Sequence, residues 1–276
     1  MCHAVAQWSR GWCSRGGFGL AAWIYLSLRP EPQPDVAKAA QSVTARAADR
    51  ALTAQSDRQL DQVRAALPWA TYLGTTVADS CSTGWVDHGL ALTRRTWTPV
   101  TCSRTTTVYE AFDGDFPSRL AELDTVLATA GWHPDRTGAP LDREEHPGLV
   151  AALDYAHRPP DDPSPAQVAE AAARPNAATV QYAVPISFDF VPPASAKATA
   201  RQGGTVDVAQ APYLPALDDG TAAHDVMLKY PSVKTSYYVD WRQYGHSQLA
   251  AAAYPAHGAV LAISISGNYN TGRARP

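Results

Sequence analysis

Glu110, Asp113 and Asp115 gather three carboxylates in one short stretch, around Gly114. Such a group can hold a divalent cation through its oxygens or act as an acid–base pair. The Asp-x-Asp-x-Asp-Gly pattern of a calcium-binding loop is absent, however, and Asp-Gly-Asp followed by Pro117 is what a turn running into a helix demands. Asp115 is placed to cap that helix. Histidines that could join the carboxylates are dispersed. His133 follows the same helix, where the helix dipole favours it without any catalysis. Asp87-His88 precedes the group, and His146 after Glu144-Glu145 lacks the second His of a His-Glu-x-x-His site. A secreted hydrolase or metal-dependent enzyme would have to bring Glu110, Asp113 and His133 together in space.

Nucleophile and phosphate motifs are missing. No Gly-x-Ser-x-Gly occurs, Ser264-Ile265-Ser266-Gly267 lacks the first glycine, and Ser247 after His246 has no supporting context. Gly16-Gly17 and Gly203-Gly204 lack the Lys-Ser/Thr of a phosphate loop. The sequence calls for no cofactor and no metal. One aromatic group invites a binding role instead. On a strand, Tyr238, Asp240, Arg242 and Tyr244 would share a polar-aromatic face opposite Tyr237, Val239 and Trp241, fit for a glycan or a protein partner.

Of the four cysteines, Cys2 and Cys13 lie near the N-terminus, whereas Cys81 and Cys102 flank the first β-rich run. Two buried thiols or a metal pair are the rivals to a disulfide there, but metal ligands normally come in Cys-x-x-Cys spacing. A Cys81–Cys102 disulfide would close a loop of about 20 residues and stabilise by on the order of 3 kcal/mol through the lost freedom of the unfolded chain. It would also imply an oxidising compartment.

With 276 residues the chain is long enough to bury a sizeable core in one domain. Its formal charge of -3 and scattered arginines create no basic stripe, which argues against nucleic acid as a partner. Eight Trp and twelve Tyr against five Phe suit half-exposed sheets.

The elements that must position these groups read as an α+β domain. Residues 35–67 contain neither Gly nor Pro, and a helix is expected from an Asp35 cap to Pro68, with a stripe of Val36, Ala40, Val43 and Ala47 continued by Leu60, Val63 and Leu67. The small alanines suit a stalk or a helix lying on the domain. Strands are expected at about 90–98 and 102–112, then a helix from Pro117 carrying Leu120, Leu123 and Leu127 to a stop at Gly131. This would be a ββα unit from Trp85 to Trp132. A short helix follows near 148–157 within an otherwise loop-like, proline-punctuated region. Val180, Tyr182, Val184, Ile186, Phe188 and Phe190 alternate with polar residues, so 179–190 is an expected strand, at an edge or bulged because of Pro185. Residues 194–220 read as a long loop. Two more strands are expected at 234–244 and 259–266, the second with Leu261, Ile263 and Ile265 inward. A mainly antiparallel sheet with one or two packed helices results.

Residues 16–28 are apolar and uncharged, preceded by Arg10 and Arg15 and closed by Arg29. Positive charge ahead of an apolar run holds the N-terminus in the cytoplasm and sends the remainder across. As a helix the run would be about 20 Å long, short of the roughly 30 Å hydrocarbon core. A signal or anchor segment fits that length. The Ala37-Lys38-Ala39 cleavage pattern lies far downstream, past Pro30, Pro32 and Pro34. The expected organisation is a cytoplasmic 1–15, a signal or anchor at 16–28, a Pro-rich linker and helical stalk at 29–67, and an extracytoplasmic domain at 68–276. The membrane is then a partner through the N-terminal segment. The protein would be single-pass with its C-terminal domain outside, or secreted if cleaved.

The apolar run, the Ala/Arg helix after it, and Cys102-Ser103-Arg104 leading through Tyr109 to Asp113-Gly114-Asp115 and Arg119-Leu120 resemble the small exported or membrane-anchored proteins abundant in high-GC actinobacteria. The resemblance spans about residues 16–132 and implies location, with no activity attached. The expected function is a non-catalytic envelope domain that binds a protein partner or wall glycan.

Overall fold

Leu261, Ile263 and Ile265 recur at every second residue, and all three are buried on one side of a strand, as their alternation requires. The computed structural model describes residues 32–86, 96–135, 148–185, 202–215 and 235–270. In order these form α1 (Val36–Ala40), α2 (Val43–Ala65), β1 (Thr71–Ser82), β2 (Trp85–Val86), β3 (Thr96–Trp97), β4 (Thr101–Phe112), α3 (Phe116–Thr129), β5 (His133–Pro134), α4 (Leu149–His157), α5 (Pro165–Ala172), β6 (Ala177–Ala183), β7 (Gln202–Gln210), β8 (Ser236–Arg242), α6 (His246–Ala253) and β9 (Ala259–Asn270). Seven strands make one sheet in the order β5-β6-β7-β9-β4-β1-β8, and each neighbouring pair is antiparallel. The α+β class with a mainly antiparallel sheet is therefore the architecture. Among the described residues no helix is long and apolar enough to cross a membrane, and the apolar run 16–28 lies outside them.

One face of the sheet carries the helical layer. Leu120, Leu123 and Leu127 of α3 pack with Leu60, Val63 and Leu67 against Val108, Phe112, Val206, Val208, Leu261 and Ile263. Helix α3 begins where sequence chemistry puts it. Asp115 accepts from the Ser118 N–H at 3.1 Å, Pro117 stands in the first turn, and Gly131 with φ +79° follows its end. Among the described residues the opposite face is covered at one end, by Leu249 and Ala253 of α6 against Tyr109, Ala111, Val260 and Ala262.

Several elements differ from expectation for identifiable reasons. The helical stretch after Asp35 breaks at Gln41-Ser42, where Ser42 starts α2 by accepting from the Ala45 N–H at 3.1 Å. The break changes the phase of the buried stripe, so Ala45, Ala48 and Leu52 point inward while Val43 is 85% exposed. The stretch lies against the sheet, the second of the two placements expected for it. The partner of β4 is β1, which the period of apolar residues conceals because Asp79 occupies an inward position and the register shifts at Tyr72/Gly74. Thr96-Trp97 pairs instead with Trp85-Val86, and residues 87–95 of the expected strand lie outside the described residues. Helix α5 sits in the region read as loop. Ser164 caps it in a capping box with Gln167, with Pro165 opening the helix.

The largest difference is β7, a central strand within the stretch read as a loop. Gly204 faces the Trp132 indole. A Cβ there would fall 2.4 Å from Trp132 Cζ3 and 2.7 Å from Val184 Cγ2, so the absence of a side chain is what admits the buried Trp. At Gly203 the nearest atom to a Cβ would be a carbonyl oxygen at 3.8 Å. Gly204→Ala is expected to lower unfolding free energy by about 1–3 kcal/mol through overpacking. Gly203→Ala should be neutral or slightly stabilising. Urea denaturation of the two variants side by side checks this.

Candidate functional site

Cys81 and Cys102 are directly opposed in the β1–β4 register and joined by a disulfide. Both are buried, at 0% and 1% exposure, beneath Val36, Ala45 and Leu52. Directly paired residues share a face, so the helix side of the sheet carries a row of Tyr237, Cys81, Cys102 and Tyr269 across β8, β1, β4 and β9.

The next row on that face is charged. Arg104 Nη1 donates to Asp79 Oδ2 at 3.1 Å and to Asp49 Oδ1 of α2 at 3.2 Å, and Nη2 lies 3.8 Å from Asp240 Oδ2. The Tyr269 hydroxyl donates to Asp79 Oδ1 at 2.7 Å. Arg242 in turn donates to Asp240 at 3.2 Å. Asp79 is 0% exposed and Arg104 only 6%. Burial pushes the Asp79 carboxyl up to about 7, against the pull of the Tyr269 hydroxyl and with a further push from Asp49. This cluster went unseen in the sequence, because nothing in a Thr/Ser-rich strand marks one Asp as facing inward.

The expected binding face divides. Pairs Asp79↔Asp240 and Ser80↔Tyr238 leave Val239 as an extra residue in β8. This bulge shifts the alternation. Asp240 and Arg242 therefore stay on the helix side with the charged row. Tyr238 moves to the side of Trp241, and their rings meet edge to face at 5.1 Å. Tyr244 lies across Gly74 and stacks on Tyr109 at 6.3 Å. Tyr238 and Trp241 border the part of the sheet that α6 leaves open among the described residues. Hydroxyls line it: Thr105–Ser266 at 2.8 Å and Thr107–Ser264 at 2.7 Å bridge β4 and β9, and Thr205 donates to Gln181 at 2.7 Å. The hollow between Thr76, Ala78, Thr105, Thr107, Arg242 and Gln243 holds about 10 Å³, barely a water.

Glu110, Asp113 and His133 occupy three separate elements. Glu110 points to the helix side, buried, and accepts from Arg64 Nε at 3.1 Å. Burial raises its pKa while Arg64 opposes the rise. Asp113, in the turn after β4, pairs with His257 Nδ1 at 2.7 Å and accepts from the Gly258 N–H at 2.9 Å; these bonds hold its carboxyl below the usual range. His133 is exposed in β5, paired with Ala183 at the far edge of the sheet. Asp115 serves as the α3 cap. Among the described residues no group of three or more His, Cys, Asp or Glu side chains is placed to hold a metal ion. Asp87, His88, Glu144, Glu145 and His146 lie outside them.

No family model, no curated protein and no solved structure matches the chain. Its chemistry must be argued from its own residues.

Asp79 and Glu110 both bind a proton more tightly in the folded chain than in the unfolded one. The stability tied to Asp79 is complete below its unfolded value of 3.8 and is lost as pH rises through about 7. Unfolding free energy from urea titration should therefore be higher at pH 5.5 than at pH 8.5, by about 2 kcal/mol from Asp79. In Asp79→Asn most of that difference should vanish.

Proposed function

We propose that this chain is a cell-envelope protein whose α+β domain works outside the membrane as a non-catalytic binding or accessory domain, delivered or tethered by residues 16–28. The observation that carries this reading is the Cys81–Cys102 disulfide, closed between opposed residues of the β1–β4 pair and sealed in the core. A disulfide built into a core is a mark of oxidising compartments. The arginines before residues 16–28 favour the same orientation, with the domain on the far side.

The binding part of the proposal rests on the open sheet face. Thr101, Ser103, Ser266 and Asn268 are exposed there, with the Tyr238–Trp241 pair at the border. Hydroxyl donors and acceptors in flat rows beside an aromatic edge suit a wall glycan, whose own hydroxyls and apolar ring faces match both features. An envelope protein is the other partner this surface would serve. The rival enzyme reading needs Glu110, Asp113 and His133 in one place, and their dispersal over the β4 interior, a turn and a far sheet edge removes its specific support.

Fractionation of native cells with N-terminal sequencing tests location. Recovery in the membrane with residues 16–28 intact is expected for tethering, and a mature chain starting near Ala40 for cleavage. A cytosolic protein with an intact N-terminus would overturn the proposal. Proteolytic mapping of protein prepared without reductant should yield a linked peptide containing Cys81 and Cys102, and free thiols at both would remove the observation on which the location rests. Binding of purified wall glycan should fall at least tenfold in Trp241→Ala if the glycan is the partner.

A further inference from the structure

Two ends of α2 are held to the sheet by different physics. The C-terminal half inserts Leu60 and Val63 into the main core, with Leu67 following. The N-terminal half, together with α1, rests on the disulfide through Val36, Ala39, Ala40, Ala45, Ala48 and Leu52, mostly one-carbon side chains. Its polar attachments include Gln41, which donates to the Tyr237 hydroxyl at 3.0 Å, and Asp49, which accepts from the same Arg104 nitrogen as Asp79. Two carboxylates thus converge on one Nη1, one from the helix and one from the sheet. The groups facing Asp79 are Asp49 from α2, Arg104 from β4, Asp240 from β8 and Tyr269 from β9, with Arg242 behind Asp240. Three carboxylates therefore face two guanidiniums, and a single proton makes the cluster neutral.

We infer that Asp49 and Asp79, converging on Arg104 Nη1, act as a latch: with a proton on Asp79, α1 and the first half of α2 lie closed over the Cys81–Cys102 disulfide, and without it they lift and open the disulfide to solvent. Like charges drawn to one nitrogen in a buried row repel unless one is neutral. The helix half that carries Asp49 has little large apolar surface to resist that repulsion, whereas Leu60 and Val63 keep the other half in place. Opening is local, hinged within α2, and leaves the β4–β9 centre intact. The Asp79 carboxyl, raised by burial to about 7, sets the transition near neutral pH.

Hydrogen exchange of the full chain from pH 5.5 to 8.5, corrected for intrinsic rates, reads the latch directly. Amides of residues 45–52 should lose protection above neutral pH, by up to about tenfold per pH unit, while those of residues 261–265 keep theirs. Reduction of the disulfide by a phosphine, which with one water converts the bond to two thiols and itself to a phosphine oxide, should accelerate in parallel. Asp79→Asn, whose amide imitates the protonated acid, should stay closed and flat across the range. Asp49→Asn should do the same and serves for comparison if the first variant fails to fold. A flat wild-type profile overturns the latch. So does a wild-type slope retained in both variants, or equal loss of protection in helix and strands.

Discussion

Arg104 sits on β4 with its guanidinium turned to the helix side, almost out of solvent, and the elements around it are arranged by the need to neutralise it. A buried cation is tolerated only with partners in good geometry. Here they come from α2, β1 and β8, while a hydroxyl from β9 fixes one of those partners in turn. Polar contacts of this kind add little net stability compared with a well-packed apolar core, but they penalise alternatives. A slip of β1 by one residue would send Asp79 to the other face and strip Arg104 of its most buried partner. The disulfide one step along the same strands fixes the same register covalently. Sequence spends two devices on one alignment.

That alignment explains how the two faces of the sheet come to differ. On the helix side, a row of cystine flanked by tyrosines, then a charged row and then aliphatic residues follow one another along β4 toward Phe112. On the opposite side the same strands present Thr and Ser, which bond to one another across β4 and β9. The bulge at Val239 decides which residues of β8 join each side. It puts the two charges with the cluster and the two rings with the hydroxyls.

Elements with a complete local signature were legible from sequence. Helix α3 had its cap, its Pro, its leucine spacing and its terminal Gly, and β9 had strict aliphatic alternation. The Cys81–Cys102 pair could be named because few other pairings were open to the chain. What stayed hidden depended on tertiary contacts. Strand β7 begins with two glycines whose purpose is visible only once Trp132 is seen lying over Gly204. Strand β1 lacks an apolar period because its inward positions are Val77, Asp79 and Cys81. Tyr238, Asp240, Arg242 and Tyr244 were grouped by simple alternation, which one extra residue in the strand undoes. Glu110, Asp113 and His133 were near in sequence and part company in space because a strand, a turn and a helix carry them in different directions.

The place of β9 in the sheet has a consequence for how the chain reaches this state. It is the last described strand, yet it lies in the middle, between β7 and β4. Until residues 259–270 have emerged, the strands before them form two separate groups, β5-β6-β7 and β4-β1-β8, each with a long unpaired edge. Pairings between positions so far apart in sequence close slowly. Exposed edges in the meantime invite association with other chains. The complete sheet can therefore assemble only once residues 259–270 are available, and β9 is the strand that joins two halves into one core.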